Sequence, residues 1–351
     1  LTILSELLEE RGVLLADGAT GSNLFRMGLQ SGDSPELWNA LFPDRIATNY
    51  RSFIEAGSDL ILTNSFGGNR FRLGLHDSSD RVHELNIKAA NIARAEAGKA
   101  SKRIIVAGSI GPTGEILEPL GLLGIESAAE VFSEQALALK KGGVDLLWIE
   151  TMSSLEEAEA ALKGCSKTGL PTVLTFSVDT NGRTMMGLTP ADIIKFASET
   201  TRQPQAVGAN CGIGAADLVA SLINMHSAGN NLSFSTIIIA KANCGVPEYI
   251  DGEIVYSGTE DIMSDYARIA MDAGARIIGG CCGTTPSHIR AMRVAIDTHQ
   301  RGNLPDIDKI ETSLGPITAG ARSQMLGDLS IAGGAKRPLR ERKSRRPRRN
   351  P

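Results

Sequence analysis

Apolar residues along this chain fall into two alternating patterns. Short, nearly unbroken aliphatic runs occupy residues 13–17, 59–63, 104–108, 145–150, 172–177, 205–210, 236–241 and 276–280. Strands buried on both faces read this way, because neither face can carry polar side chains. Longer stretches lie between most of them, at 46–56, 80–97, 128–141, 155–167, 191–200, 215–228 and 260–273. Their apolar residues recur three and four positions apart, the spacing of one helical face. Asp44, Ser127 and Thr189, the last ahead of Pro190, suit helix N-caps. Strand–helix alternation forces parallel pairing, since each return trip is a helical crossover. Eight such rounds predict an α/β fold, a (β/α)8 TIM barrel over residues 1–300. Asp17-Gly-Ala-Thr-Gly-Ser22 follows the first run. It lacks the third glycine and the lysine that a nucleotide-binding turn of an open sheet would need.

Beyond residue 300 the periodicity fades, so 301–351 reads as an extension ending in a disordered basic tail. Between residues 335 and 351 stand nine Lys or Arg against one acid, Glu341, although the whole chain carries a net charge of −4. A solvated tail is the plain reading, and contact with an anionic partner is the alternative. A nucleic-acid function is not expected, because the run has no interleaved aromatics and lies outside the barrel. At 42% hydrophobic and 22% charged, the chain is neither disordered as a whole nor fibrous. No stretch approaches the roughly 18 apolar residues of a membrane span. Residues 1–11 are acidic and amphipathic without a basic leading segment, so they do not read as a signal peptide. Leu1 is not a methionine, which leaves the natural start open. Five cysteines, two of them adjacent, make no disulfide framework and favour reduced thiols in a cytoplasmic setting.

In such barrels chemistry sits at the C-terminal ends of the strands. Those ends here carry Asp17, Thr63 to Gly68, Ser109, Glu150, Ser177, Asn210-Cys211, Lys241 to Cys244, and Gly279-Gly-Cys281-Cys282-Gly283. Cys211, Cys281 and Cys282 therefore gather at one mouth, on the sixth and eighth barrel strands. Three thiolates suit zinc and leave a fourth position open, the catalytic arrangement. Ordinary packing cysteines and a vicinal-thiol redox pair are the alternatives, the second without a C-x-x-C spacing. Cys165 reads as inert, Cys244 as a supporting residue at the mouth, and His288 as a helix-start residue. Asp17 and Glu150 end otherwise apolar strands, where a carboxylate needs a cation or donors. They suggest a subsite for a primary ammonium, with ion pairs to structural Arg or Lys as the alternative. Backbone amides at Gly18, Gly67 and Gly68 could take a carboxylate. Together these elements describe an amino acid with a sulfur tip.

Asp17-Gly-Ala-Thr-Gly, Leu62-Thr-Asn-Ser-Phe66, Gly111-Pro-Thr-Gly, Gly208-Ala-Asn-Cys211 and Gly279-Gly-Cys-Cys-Gly-Thr-Thr-Pro286 resemble the zinc-dependent homocysteine S-methyltransferase family. That family includes betaine–homocysteine methyltransferases and the homocysteine domain of cobalamin-dependent methionine synthases. The resemblance runs from about Gly12 to about Thr298 and does not reach the tail. It implies Zn2+ on Cys211, Cys281 and Cys282, the homocysteine ammonium on Asp17 and Glu150, and Gly18 and Thr63 beside the substrate. Trp38 stands where betaine-using members place a tryptophan, which favours glycine betaine as the methyl donor. Phe66 and Thr151 depart from that pattern and are similar to members served by a methylcorrinoid on another domain or protein. Methylsulfonium donors are a further alternative, as is a non-catalytic zinc or thiol-binding protein. A homo-oligomer is the default expectation for such an enzyme.

Overall fold

A computed structural model describes residues 2–328 of the chain, apart from 233, 246, 251 and 252. Ten strands follow one another: β1 (Leu14–Leu15), β2 (Leu60–Leu62), β3 (Ile105–Ile110), β4 (Leu146–Met152), β5 (Thr172–Ser177), β6 (Ala206–Cys211), β7 (Ile237–Ala242), β8 (Pro247–Ile250), β9 (Glu253–Tyr256) and β10 (Ala275–Gly280). Eight of them form one parallel sheet in the order β1-β10-β7-β6-β5-β4-β3-β2. A parallel bridge between Ala16 and Leu60 brings its two edges together. The fold is a (β/α)8 TIM barrel, as the alternating pattern predicts.

Strand alternation sorts the core into two layers. Leu14, Leu60, Leu62, Ile105, Leu146, Trp148, Ile239 and Ile277 point inward and fill the barrel. The helix Ile3–Arg11 adds Leu4, Leu7 and Leu8 to this inner cluster. Leu15, Ile61, Val106, Leu147, Leu174 and Ile278 point outward to the ring of helices, with Phe53, Phe132 and Tyr266 among their neighbours. Thr189 caps its helix with a full capping box. Asp44 instead lies in a first turn that begins at Pro43, and Ser127 lies inside a helix that begins at Ile125 after Gly124.

Two segments depart from the sequence expectation. The connection after β7 holds an antiparallel hairpin, β8 with β9. The extension is not structureless throughout, since residues Ile307–Leu314 and Ala319–Met325 are helices. Ile310 and Ala321 are buried there, and Thr318 donates from both its amide and hydroxyl to Asp217 Oδ1 on the helix Ala215–Asn231. Helices this short are marginal alone and take their stability from docking. The basic run at 336–349 lies outside the described residues.

Closure at the β1–β2 edge leans on Asp59, a buried carboxylate just before β2. It accepts hydrogen bonds from the Leu15 amide (2.9 Å), Arg11 (2.6 Å), Lys102 (2.7 Å) and Arg293 (2.9 Å). Burial alone would raise its pKa, but the Leu15 amide and the Lys102 and Arg293 cations outweigh it and hold the carboxyl below the ordinary aspartate range. Its contribution is present above the unfolded aspartate pKa and is lost as pH falls through the lower folded value. Asp59→Asn should therefore cost about 3–5 kcal/mol in urea unfolding at neutral pH, the scale for stripping one member from a buried ion cluster. The gap between wild type and variant should begin to narrow below about 3.9 and close once pH has fallen through the lower folded value. A gap that persists there would contradict the assignment.

Candidate active site at the barrel mouth

β6 and β10 flank β7 in the sheet, so the cysteines that end them face each other across one strand. Cys211 adopts φ +57°, an uncommon backbone for a side chain with Cβ, and Gly212 and Gly283 also have positive φ. Asn243, just past β7, ties the two cysteine loops together. Its Oδ1 accepts from the Cys282 amide (3.0 Å) and its Nδ2 donates to the Gly212 carbonyl (2.7 Å). The Cys281 amide donates to the Ala242 carbonyl (2.7 Å). Cys211 Sγ and Cys281 Sγ stand 2.7 Å apart, and the three sulfur atoms of Cys211, Cys281 and Cys282 lie within 4.8 Å of one another. Hydrogen bonds from Cys211 and Cys281, with a further one from the Tyr256 phenol, hold Cys282 toward the thiolate. Cys211 is pushed the other way by those same contacts and by burial. Three soft donors gathered at one point are the ligand set that suits zinc, with a fourth position left for a substrate.

The remaining cysteines stand apart. Cys244 Sγ lies 3.2 Å from the Gly258 carbonyl and 3.6 Å from His288 Nε2. His288 belongs to the first turn of the helix Pro286–Thr298, where its Nδ1 accepts from the Thr285 amide (3.1 Å). Cys165 is fully buried, and burial alone raises its pKa.

A cavity of about 400 Å³ opens beside the sulfur cluster, lined by Gly18, Thr63, Phe66, Glu150 and Lys241 together with the three cysteines. Glu150 accepts from the Ser109 hydroxyl, and burial pushes its pKa up to about 7 against the pull of Lys241. Asp17 does not line the cavity. Its Oδ2 accepts from the Leu62 amide (2.7 Å) and its Oδ1 from Lys241 Nζ (2.9 Å). In the ligand-free structure Asp17 is thus paired with Lys241. Gly18 packs so tightly that a Cβ there would come within 2.7 Å of the Thr284 carbonyl oxygen. The Gly67 amide already donates to Glu36 (2.7 Å) and the Gly68 amide to the Ser65 carbonyl (2.9 Å). Those two amides are thus engaged within the protein. Thr63 Oγ1 pairs with the Ser65 hydroxyl (2.6 Å) and accepts from the Ser109 amide (3.0 Å).

Trp38 is brought to neither side of this cavity. It is buried, edge-on to Phe42 at 5.0 Å, with the Arg45 guanidinium 5.0 Å from its ring centre. Among the described residues, Phe66 is the one Phe, Tyr or Trp that lines the cavity. Phe66, Arg72 and Thr151 also border a second, neighbouring cavity of about 650 Å³. Ile116, Leu120, Met185 and Met186 stand on its wall, with Leu120 76% and Met185 73% exposed. Sequence reasoning named Lys241 and Asn243 at the strand ends without giving them a task. It missed Tyr256, whose approach depends on the β8–β9 hairpin.

Known proteins share the sequence pattern and the fold. Residues 14–296 match the family model described as homocysteine S-methyltransferase. Methionine synthase of Mycobacterium tuberculosis is 30% identical over 95% of the chain, and that of Mycobacterium leprae is 28% identical over 95%. The chain spans 29% of the length of each of these relatives. Among solved structures, the oxidized form of the homocysteine methyltransferase MmuM from Escherichia coli superposes with a TM-score of 0.69 at 25% identity. That match covers 83% of this chain and 98% of the other. The metallated form of MmuM gives a TM-score of 0.68 at 24% identity and shows the same fold. With the family model spanning the whole barrel from β1 to the last turn of its final helix, the chain belongs to the homocysteine S-methyltransferase family.

Proposed function

We propose that this chain converts homocysteine to methionine, with zinc held by Cys211, Cys281 and Cys282. The convergence of those three sulfur atoms at the edge of a substrate-sized cavity carries the reading. Zinc bound there would supply an open position at which an incoming thiol loses its proton. The protein's own residues orient the rest of the amino acid. Glu150 faces the cavity with the Ser109 hydroxyl on one oxygen, leaving lone pairs for an ammonium. Gly18 and Thr63 floor the same space. Asn243 keeps the two cysteine loops at a fixed separation. Methyl transfer is then an in-line displacement. The sulfur–carbon bond forms as the carbon–donor bond breaks, and that electron pair leaves with the donor. Orientation, rather than a tuned general base, is what the site must provide.

A protein-borne methyl donor fits the mouth better than glycine betaine does. A quaternary ammonium is held by several aromatic faces. Trp38, expected to supply one, instead packs against Phe42 and Arg45. The second cavity and its exposed Ile116, Leu120, Met185 and Met186 form an apolar rim of the kind that receives a macromolecule. A methylcorrinoid carried by a separate domain or protein has the bulk and the apolar face for such a rim. Betaine remains the second reading because Phe66 stands at the junction of the two cavities.

The purified protein should hold about one zinc per chain. Cys211→Ala, Cys281→Ala and Cys282→Ala should each lose it and lower methionine formation by about 100-fold or more, since losing a group merely behind a metal ligand already costs 10–100-fold. Full zinc retention in all three variants would contradict the metal assignment. Offered in turn with homocysteine, a methylcorrinoid protein should support methionine formation, while betaine, S-methylmethionine and dimethylsulfoniopropionate should not. Turnover with betaine at the corrinoid rate or faster would reverse the order of the two readings.

A further inference from the structure

Lys241 is the last charged residue of β7, and only 3% of its side chain is exposed. A lysine buried to this degree is costly unless its charge is met. Here it reaches from β7 past the neighbouring β10 to Asp17 at the end of β1, with Nζ 2.9 Å from Oδ1. The lane it uses is kept clear by Gly279, its register partner on β10, where a Cβ would stand 3.3 Å from Lys241 Cγ and 2.8 Å from Ala16 Cβ. Below it lies the Trp148 ring, whose centre is 5.5 Å from Nζ. Burial works against its charge, but attraction to Asp17, Glu150 and Cys281 outweighs that and leaves its pKa above an ordinary lysine's. Lys241 borders the substrate cavity, as Glu150 does, whereas Asp17 does not.

We infer that Lys241 occupies the place on Asp17 that a substrate ammonium would otherwise take, so that Glu150 alone receives the ammonium of the acceptor thiol. The inference rests on the homocysteine reading of the site. It makes Asp17 a positioning residue, acting through the lysine it holds, and Lys241 the residue that sets how strongly the site prefers an amino thiol over a plain one. Each carboxylate then has its own cation: an internal one on Asp17 and the substrate's on Glu150. The arrangement also places a fixed positive charge between Asp17 and the cysteine cluster, in a region where burial works against every negative charge.

Removing the lysine frees Asp17 for the ligand. Dissociation constants for homocysteine and its desamino analogue 4-mercaptobutanoate, read by ligand-induced thermal shift on the zinc-loaded protein, isolate the ammonium's contribution. The preference for homocysteine should rise about tenfold in Lys241→Met, the scale of one added hydrogen bond to a charged group. In the double variant D17N/K241M the preference should return to the wild-type ratio, because the second carboxylate is gone. If Lys241→Met folds poorly, refolding yields with each thiol give the same answer: homocysteine should rescue it and the analogue should not. An unchanged or smaller preference in Lys241→Met, equal refolding yields with both thiols, or a raised preference that survives in the double variant would each overturn the inference. Failure of the wild-type protein to bind homocysteine at all would instead overturn the functional reading beneath it.

Discussion

The structure depends on three sulfur atoms being held within 4.8 Å of one another at the open end of a barrel. Thiols this close tend to oxidise or share protons unless something else claims them. The fold holds them in place by backbone means. The positive φ at Cys211 and the two hydrogen bonds of Asn243 set where the loops after β6 and β10 sit. β7, lying between those strands, carries near its end the lysine that pairs with Asp17 and is followed at once by the asparagine that spaces the cysteines. A closed parallel barrel makes this possible because strands far apart in sequence, and their terminal side chains, meet at one rim.

Three carboxylates in or beside barrel strands show how burial sorts one role from another. Asp59 is met by three cations and a backbone amide, and it serves closure of the barrel. Asp17 is met by one lysine and one amide and lies behind the cavity wall. Glu150 is met by a serine hydroxyl and faces the cavity, with burial pushing its pKa to about 7. The less completely a buried carboxylate is satisfied by its own chain, the more it is disposed to take a ligand's cation. By that measure Glu150 is the carboxylate left open to a ligand and Asp59 belongs to the fold.

Much of the architecture was legible from residue pattern. Runs such as 172–177 coincide with β5 to the residue, because strands buried on both faces leave no room for polar interruption. The meeting of Cys211 with Cys281 and Cys282 followed from strand order alone. What stayed hidden depends on contacts between elements distant in sequence. Lys241 reads as an ordinary strand end until β10 is placed between it and Asp17. Trp38, expected from the sequence to offer an aromatic face to betaine, opens the short helix Trp38–Leu41, and its ring packs on Phe42 and Arg45. The helices at Ile307–Leu314 and Ala319–Met325 are too short to announce themselves by periodicity, and the second is held at its start by Asp217 and Asn181.

Zinc-edge X-ray absorption on the purified protein, with and without homocysteine, tests the central claim most directly. The sulfur coordination number should be three in the ligand-free protein and rise to four when homocysteine is added. A count that starts at four, or that does not change with the amino acid, would contradict an account built on three cysteines and one vacant position.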